Sequence, residues 1–380
     1  MSSPGLHPDA RRRLSLAAGV VLALYAAFLL WTIATHPRGQ WDFLTYGLAV
    51  AERLDGGDPY GPLGDWPLPF VYPPWTLFLL SPLTMLPPMG WLGLKVLLAG
   101  GLLALWRKLE LPLLLLGLVA VAGLHGPLYR DLLSGNVNLL EVSLIWAGLY
   151  ALYKGKEPLF VGFIVAASLW KLTPVLFLGL LLFSEHPRRW AWMLGGALVP
   201  LALLGLSFGA WPEATGAWLD NVGKLEEFAP YDLSTRALTS ELRAALSATL
   251  GTKLAPSVGT SLYALAALVI GGLSLRAMGD LDLRHRILLA TAGYALVLPR
   301  LKDYALLLLV PAAVFALQRI SKRGALALLL VLLLLNTDTS PLTSLPGLRE
   351  LQMLSMNYIG WLALFAVWCV LALGPREAPE

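Results

Sequence analysis

The sequence predicts an all-α fold, a polytopic bundle of transmembrane helices, and three observations predict it. Hydrophobic residues make up 57% of the 380 positions and charged ones only 14%, whereas a soluble domain carries roughly a quarter. Mean hydropathy is +0.68. The apolar residues also fall into runs separated by basic or proline-marked loops, as expected of helices that satisfy their own backbone within lipid.

The first transmembrane helix is expected over residues 14–35. Arg11, Arg12 and Arg13 precede it, and no charge interrupts Gly19 to Ile33. Pro37-Arg38-Gly39-Gln40 lacks a small-x-small cleavage pattern, so the segment reads as a retained helix and not a signal peptide. The positive-inside rule puts the N-terminus in the cytoplasm and residue 36 outside. Residues 72–87 are apolar but flanked by Pro73-Pro74 and Pro87-Pro88. Counting them as a crossing would reverse every later loop, so 36–89 reads as one outer, catalytic loop region with surface or re-entrant helices.

Further runs follow at 90–106, 111–125, 137–153, 158–170, 174–184 and 189–208, then at 259–278, 286–299, 303–319, 323–336 and 353–373. With the first helix that makes roughly twelve segments, several shorter than the ~20 residues of a full crossing. Residues 90–209 thus hold the middle helices, 210–258 a long outer loop, and 259–373 the C-terminal helices of a single membrane domain spanning 1–380. The pair within 158–184 is broken at Trp170-Lys171-Leu172-Thr173-Pro174, where a joint is expected to reach a polar cavity. In this register Arg107-Lys108, Lys154, Lys156, Arg188-Arg189, Arg276, Arg284, Arg286, Arg319, Lys322 and Arg323 all face the cytoplasm. The protein is therefore expected in the cell membrane, with its site on the extracytoplasmic side.

Composition also excludes function classes. The single cysteine, Cys369, lies inside the last apolar run, so neither a disulfide framework nor a cysteine metal site is expected. The net charge of +4 follows from the sided loops and does not indicate nucleic acid. No Walker loop, dinucleotide fingerprint, HExxH or nucleophile elbow is present.

Candidate chemistry lies on the outer side. Asp42, in Trp41-Asp42-Phe43, is the leading carboxylate, with Asp58 and Tyr60 in Asp58-Pro59-Tyr60 and Tyr72 in Tyr72-Pro73-Pro74. Lys171 sits in an apolar run, where a lysine costs about 2.5–3.5 kcal/mol on insertion scales, and its ammonium is expected to meet a buried anion, the phosphate of a lipid-linked donor. Arg300 and Lys302, followed by Asp303 and Tyr304, place cations on the disfavoured side and suggest an anionic ligand. His125, Arg130, Asn136 and Asn138 fall in the same set, although Asn136 equally suits a helix cap. One well-placed carboxylate, several cations and sugar-compatible Asn, Trp and Tyr side chains suit glycosyl transfer from a lipid phosphate. A phosphate leaving group needs no general acid, only cations to meet its charge and one base for the attacking hydroxyl. The other readings are a transporter or flippase of an anionic substrate and an oligosaccharide ligase using a diphosphate donor.

The order Trp41-Asp42-Phe43, Gly57-Asp58-Pro59-Tyr60, Pro69-Phe70-Val71-Tyr72-Pro73-Pro74, Gly135-Asn136-Val137-Asn138, Trp170-Lys171-Leu172-Thr173-Pro174 and Pro299-Arg300-Leu301-Lys302-Asp303-Tyr304 resembles glycosyltransferase family 87. The resemblance runs from about residue 40 to 310. It implies a GT-C fold, a polyprenyl-phosphate-linked hexose (usually mannose) as donor, and a glycolipid or glycan acceptor. It also implies an extracytoplasmic site with Asp42 as the base, Lys171 in the lysine-x-x-proline segment, and neither metal nor other cofactor. Relatives often carry a histidine near Lys302 and Asp303, and this chain has none there.

Overall fold

The computed structural model describes residues 8–36, 39–120, 124–224, 232–334 and 358–374. Among these residues the chain is helical throughout, with a lone bridge between Leu63 and Trp66 in place of any strand. The helices are α1 (Pro8–Ala34), α2 (Trp41–Leu54), α3 (Thr76–Thr84), α4 (Pro88–Arg107), α5 (Leu113–Leu118), α6 (His125–Ser134), α7 (Asn138–Tyr153) and α8 (Glu157–Ser168). After a 3₁₀ segment at Thr173–Phe183 come α9 (Arg189–Ala210), α10 (Pro212–Gly223), α11 (Thr235–Leu250), α12 (Pro256–Met278) and α13 (Leu283–Val297). A second 3₁₀ segment, Asp303–Leu309, leads into α14 (Val310–Arg319), followed by α15 (Lys322–Leu334) and α16 (Gly360–Leu373).

Three of the described helices, α4, α9 and α12, are long and apolar enough to cross a bilayer alone. The chain is a membrane protein. The buried core comes mainly from shorter segments, among them α7, α13, α14 and the two 3₁₀ segments, while Leu194, Leu198, Leu201, Leu265 and Leu268 stand exposed on α9 and α12. In water such stripes would be a liability; in lipid they are the solvated surface.

Contacts sort the loops into two ends. At one, Arg286 donates to Met278 O at 2.7 Å and Phe183 O at 3.3 Å, and Arg284 meets Glu110 at 3.6 Å. Arg319 contacts His285 there at 3.1 Å, and the Lys108 and Lys154 ammoniums both lie over the Tyr150 ring. The loops predicted to be basic therefore share one end.

The other end gathers residues 40–75, the 135–137 turn, the 169–172 joint and the 298–302 loop. The 158–184 pair is a hairpin between the ends: Ser184 donates to Glu157 at 3.2 Å at its base, and Trp75 donates to Leu169 O at 2.8 Å at its tip. Its second leg differs from the expected α-helix. As a 3₁₀ helix its 11 residues reach about 22 Å at a rise near 2.0 Å, farther than an α-helix of that length. The connection at 210–258 carries α10 and α11, neither a candidate span among the described residues.

Candidate active site

Asp42 is placed by the turn before α2 and the turn after α6. The chain leaves α1 through Gln40, a left-handed residue at φ 63°. The Gln40 backbone N–H donates to Leu133 O at 2.6 Å, and its side-chain amide donates to Leu132 O at 2.8 Å. Gly135 then ends α6 at φ 73°, a left-handed cap suited to glycine. A Cβ there would also lie 2.7 Å from Gln40 Oε1 and 2.8 Å from Phe43 Cβ, so glycine allows the close approach as well. Trp91 of α4 donates to Gly135 O at 2.8 Å and stacks on Phe43. The chain turns through 117° here, and Asn136 emerges opposite Asp42.

The Asn136 amide bonds at both ends, to the start of α7 and to Asp42. Its Oδ1 accepts the Asn138 N–H at 2.9 Å at the start of α7, and its Nδ2 donates to Asp42 Oδ2 at 2.8 Å. Asp42 is half-buried, and its walls strip away most water. Burial raises its pKa above the ordinary carboxylate value, opposed first by the Asn136 bond and then by the charge of Lys95.

Asp42 opens onto a cavity of about 380 Å³ at the end opposite the basic loops. Tyr72, Asn136, Asn138, Lys171, Arg300, Lys302 and Tyr304 line it with Asp42, so eight of the sequence candidates converge. The Tyr72 hydroxyl lies 3.1 Å from that of Tyr46 and accepts from Asn136 Nδ2 at 3.4 Å. From α10, Trp218 donates to Val71 O at 3.1 Å and Asn221 to Tyr60 O and Phe70 O, which fixes the aromatic loop.

Asp232 and Ser234 pin the cationic loop. Leu301 N–H donates to Asp232 Oδ1 at 2.9 Å, and Ser234 Oγ donates to Pro299 O at 3.0 Å. Burial, then the neighbouring Arg300 charge, lowers the Lys302 pKa to about 8 against the pull of Asp232, Asp303 and Asp42.

Other candidates serve elsewhere. Arg130 and Asp303 pair with each other at 2.7 Å. Asp58 accepts the Tyr60 N–H at 3.0 Å across its own turn, and the Tyr60 hydroxyl donates to Tyr72 O at 2.8 Å. Both residues shape the loop. His125 opens α6, and its side chain lies outside the described ones.

The expectation of one carboxylate needs correcting. Glu141 also lines the cavity and is the buried anion that Lys171 meets, at 2.5 Å. Below Asp42, Lys95 of α4 pairs with Asp131 of α6 at 2.9 Å and donates to the Asp131 carbonyl as well. Among the described residues, no group of three or more His, Cys, Asp or Glu could hold a metal ion.

The family model for glycosyltransferase family 87 matches residues 70–344, most of the chain. The chain belongs to glycosyltransferase family 87. It is therefore an enzyme, a membrane glycosyltransferase, and the cavity holding Asn136, Lys171 and Lys302 lies largely within the matched region. Asp42 precedes that region, so its place rests on the geometry above. No curated protein matches this glycosyltransferase significantly.

Proposed function

We propose that this glycosyltransferase moves a hexose, mannose first among them, from a polyprenyl-phosphate donor to an extracytoplasmic glycolipid or glycan acceptor with inversion. The observation that carries the reading is a single cavity with an Asn136-held carboxylate, Asp42, and two loop cations, Arg300 and Lys302. Asp42 takes the proton of the acceptor hydroxyl, whose oxygen attacks the anomeric carbon. The bond from that carbon to the phosphate oxygen breaks, and its electron pair leaves with the phosphate. Arg300 and Lys302 stabilise the charge that develops there. A base with a raised pKa holds the proton better at neutral pH, which supports Asp42 in this role.

The sidedness supports the same reading. Basic loops at one end favour the cytoplasm and leave the cavity on the extracytoplasmic face of the cell membrane. The chain is read as about twelve traverses in one membrane domain of GT-C type, short legs included. No metal or other cofactor takes part in this scheme. Purified protein given polyprenyl-phosphate-mannose and a membrane lipid extract should yield a mannosylated product. Release of free mannose without any glycosylated acceptor would overturn the transferase reading.

A further inference from the structure

The stretch from Asn136 to Glu141 brings three polar side chains to the cavity, each bound to a different element. Asn136 holds Asp42, Asn138 donates to Tyr304 O at 3.1 Å, and Glu141 pairs with Lys171. Asn138 and Glu141 are three residues apart and so share one face of α7. The Lys171 side chain is 34% exposed and that of Glu141 6%, so the pair is fixed yet open to the cavity. Lys171 offers three donors and spends one on Glu141, and among the described residues only one Glu141 oxygen is bonded.

Resting on the transferase reading, we infer that the Glu141–Lys171 pair recognises hydroxyls of the transferred sugar, and not the donor phosphate. A phosphate drawn to Lys171 would lie against the nearly buried Glu141 carboxylate, and two anions so close repel strongly in a poorly hydrated cavity. The 298–302 loop offers two cations to the cavity, Arg300 and Lys302, while the Asp303 carboxylate is held by Arg130 and Asp232 Oδ1 accepts the Leu301 N–H.

A neutral ion pair suits a polyol instead. The carboxylate accepts from one hydroxyl while the ammonium donates to a neighbouring one. Trp170 and Trp218 line the same cavity and supply apolar surface for the sugar's C–H groups. A site built this way rejects a ligand lacking the hydroxyl, because its own polar groups are then left unpaired.

The test compares binding of two lipids, polyprenyl phosphate with and without mannose, to the full-length protein in detergent. Tryptophan fluorescence is the readout, since Trp170 and Trp218 line the cavity. Glu141→Gln should weaken the mannosylated lipid by at least about tenfold, the loss of a charged hydrogen bond, and leave or strengthen binding of the sugar-free phosphate. The double variant Lys171→Met with Glu141→Leu removes the pair without stranding a charge and should show the same split. If either variant weakens both lipids equally, the pair belongs to the phosphate site and the inference fails while the transferase reading stands. Unchanged binding of both lipids also overturns the inference. A wild-type protein that binds neither lipid overturns the polyprenyl-phosphate donor itself, and the inference with it.

Discussion

Lys95 and Lys171 each meet a carboxylate, at 2.9 and 2.5 Å, but the two pairs occupy opposite settings. Lys95 and Asp131 are sealed, at 1% and 0% exposure, where α4 crosses beneath the 135–137 turn. Lys171 and Glu141 stand in the cavity wall. The same chemistry thus has two uses. Without access to the cavity the sealed pair can only hold α4 to α6, and with them the turn that carries Asn136. The open pair keeps donors and an acceptor for a ligand. Removing one member of the sealed pair strands a charge with no route to water, whereas in the other pair even Glu141, at 6% exposure, still borders the cavity.

The largest expected effect breaks the comparison most directly. Lys95→Met should destabilise the fold by roughly 3–5 kcal/mol, the usual cost of an orphaned buried charge. Lys95→Met with Asp131→Leu should recover most of that, while Lys171→Met should cost far less. Thermal unfolding in detergent ranks the three, and an equal loss for Lys95→Met and Lys171→Met would erase the distinction.

Next in size is the pH profile of kcat/KM, which reports the free enzyme's acid and base. Asp42 must be ionised to accept a proton, and burial raises its pKa. Activity should therefore fall on acidification at a pH above the ordinary aspartate value of about 4. Lys302 must be protonated to meet phosphate, so activity should also fall above a pH of about 8. Lys302→Met should abolish the alkaline limb and keep the acid one. Lys171→Met should keep both, and loss of the alkaline limb in that variant would return Lys171 to the phosphate.

Much of this was legible in the sequence. Sided basic loops predicted the two ends, and the Lys171-x-x-Pro174 break predicted the hairpin tip. Charge placement pointed to Arg300 and Lys302, cations beside an apolar run where basic residues are scarce, and the surrounding aromatic loop pointed to Asp42; all three line the cavity. Glu141 and Lys95 obey the rule that singled out Lys171, a charge inside an apolar run, and that signal would have found both. Their partners were not legible, since the ion pairs join residues 30 and 36 positions apart through helix packing. Nor could spacing reveal that Arg130 and Asp303 neutralise each other, or that Tyr46 joins Tyr72 at the cavity wall.

The smallest effect belongs to Asp58. Asparagine would keep the acceptor for the Tyr60 N–H, so Asp58→Asn should change turnover by no more than about twofold. A large loss there would mean that the loop carboxylate, and not the one held by Asn136, does the chemistry.

Asp42 is the centre of the account, and one measurement reaches it directly: turnover of polyprenyl-phosphate-mannose by Asp42→Asn beside its binding of the same lipid. The amide keeps the size and the bond from Asn136 but cannot take a proton. The account predicts donor binding close to wild type and a rate at least about a hundredfold lower, in the usual range for a lost general base. Turnover near the wild-type rate would contradict it.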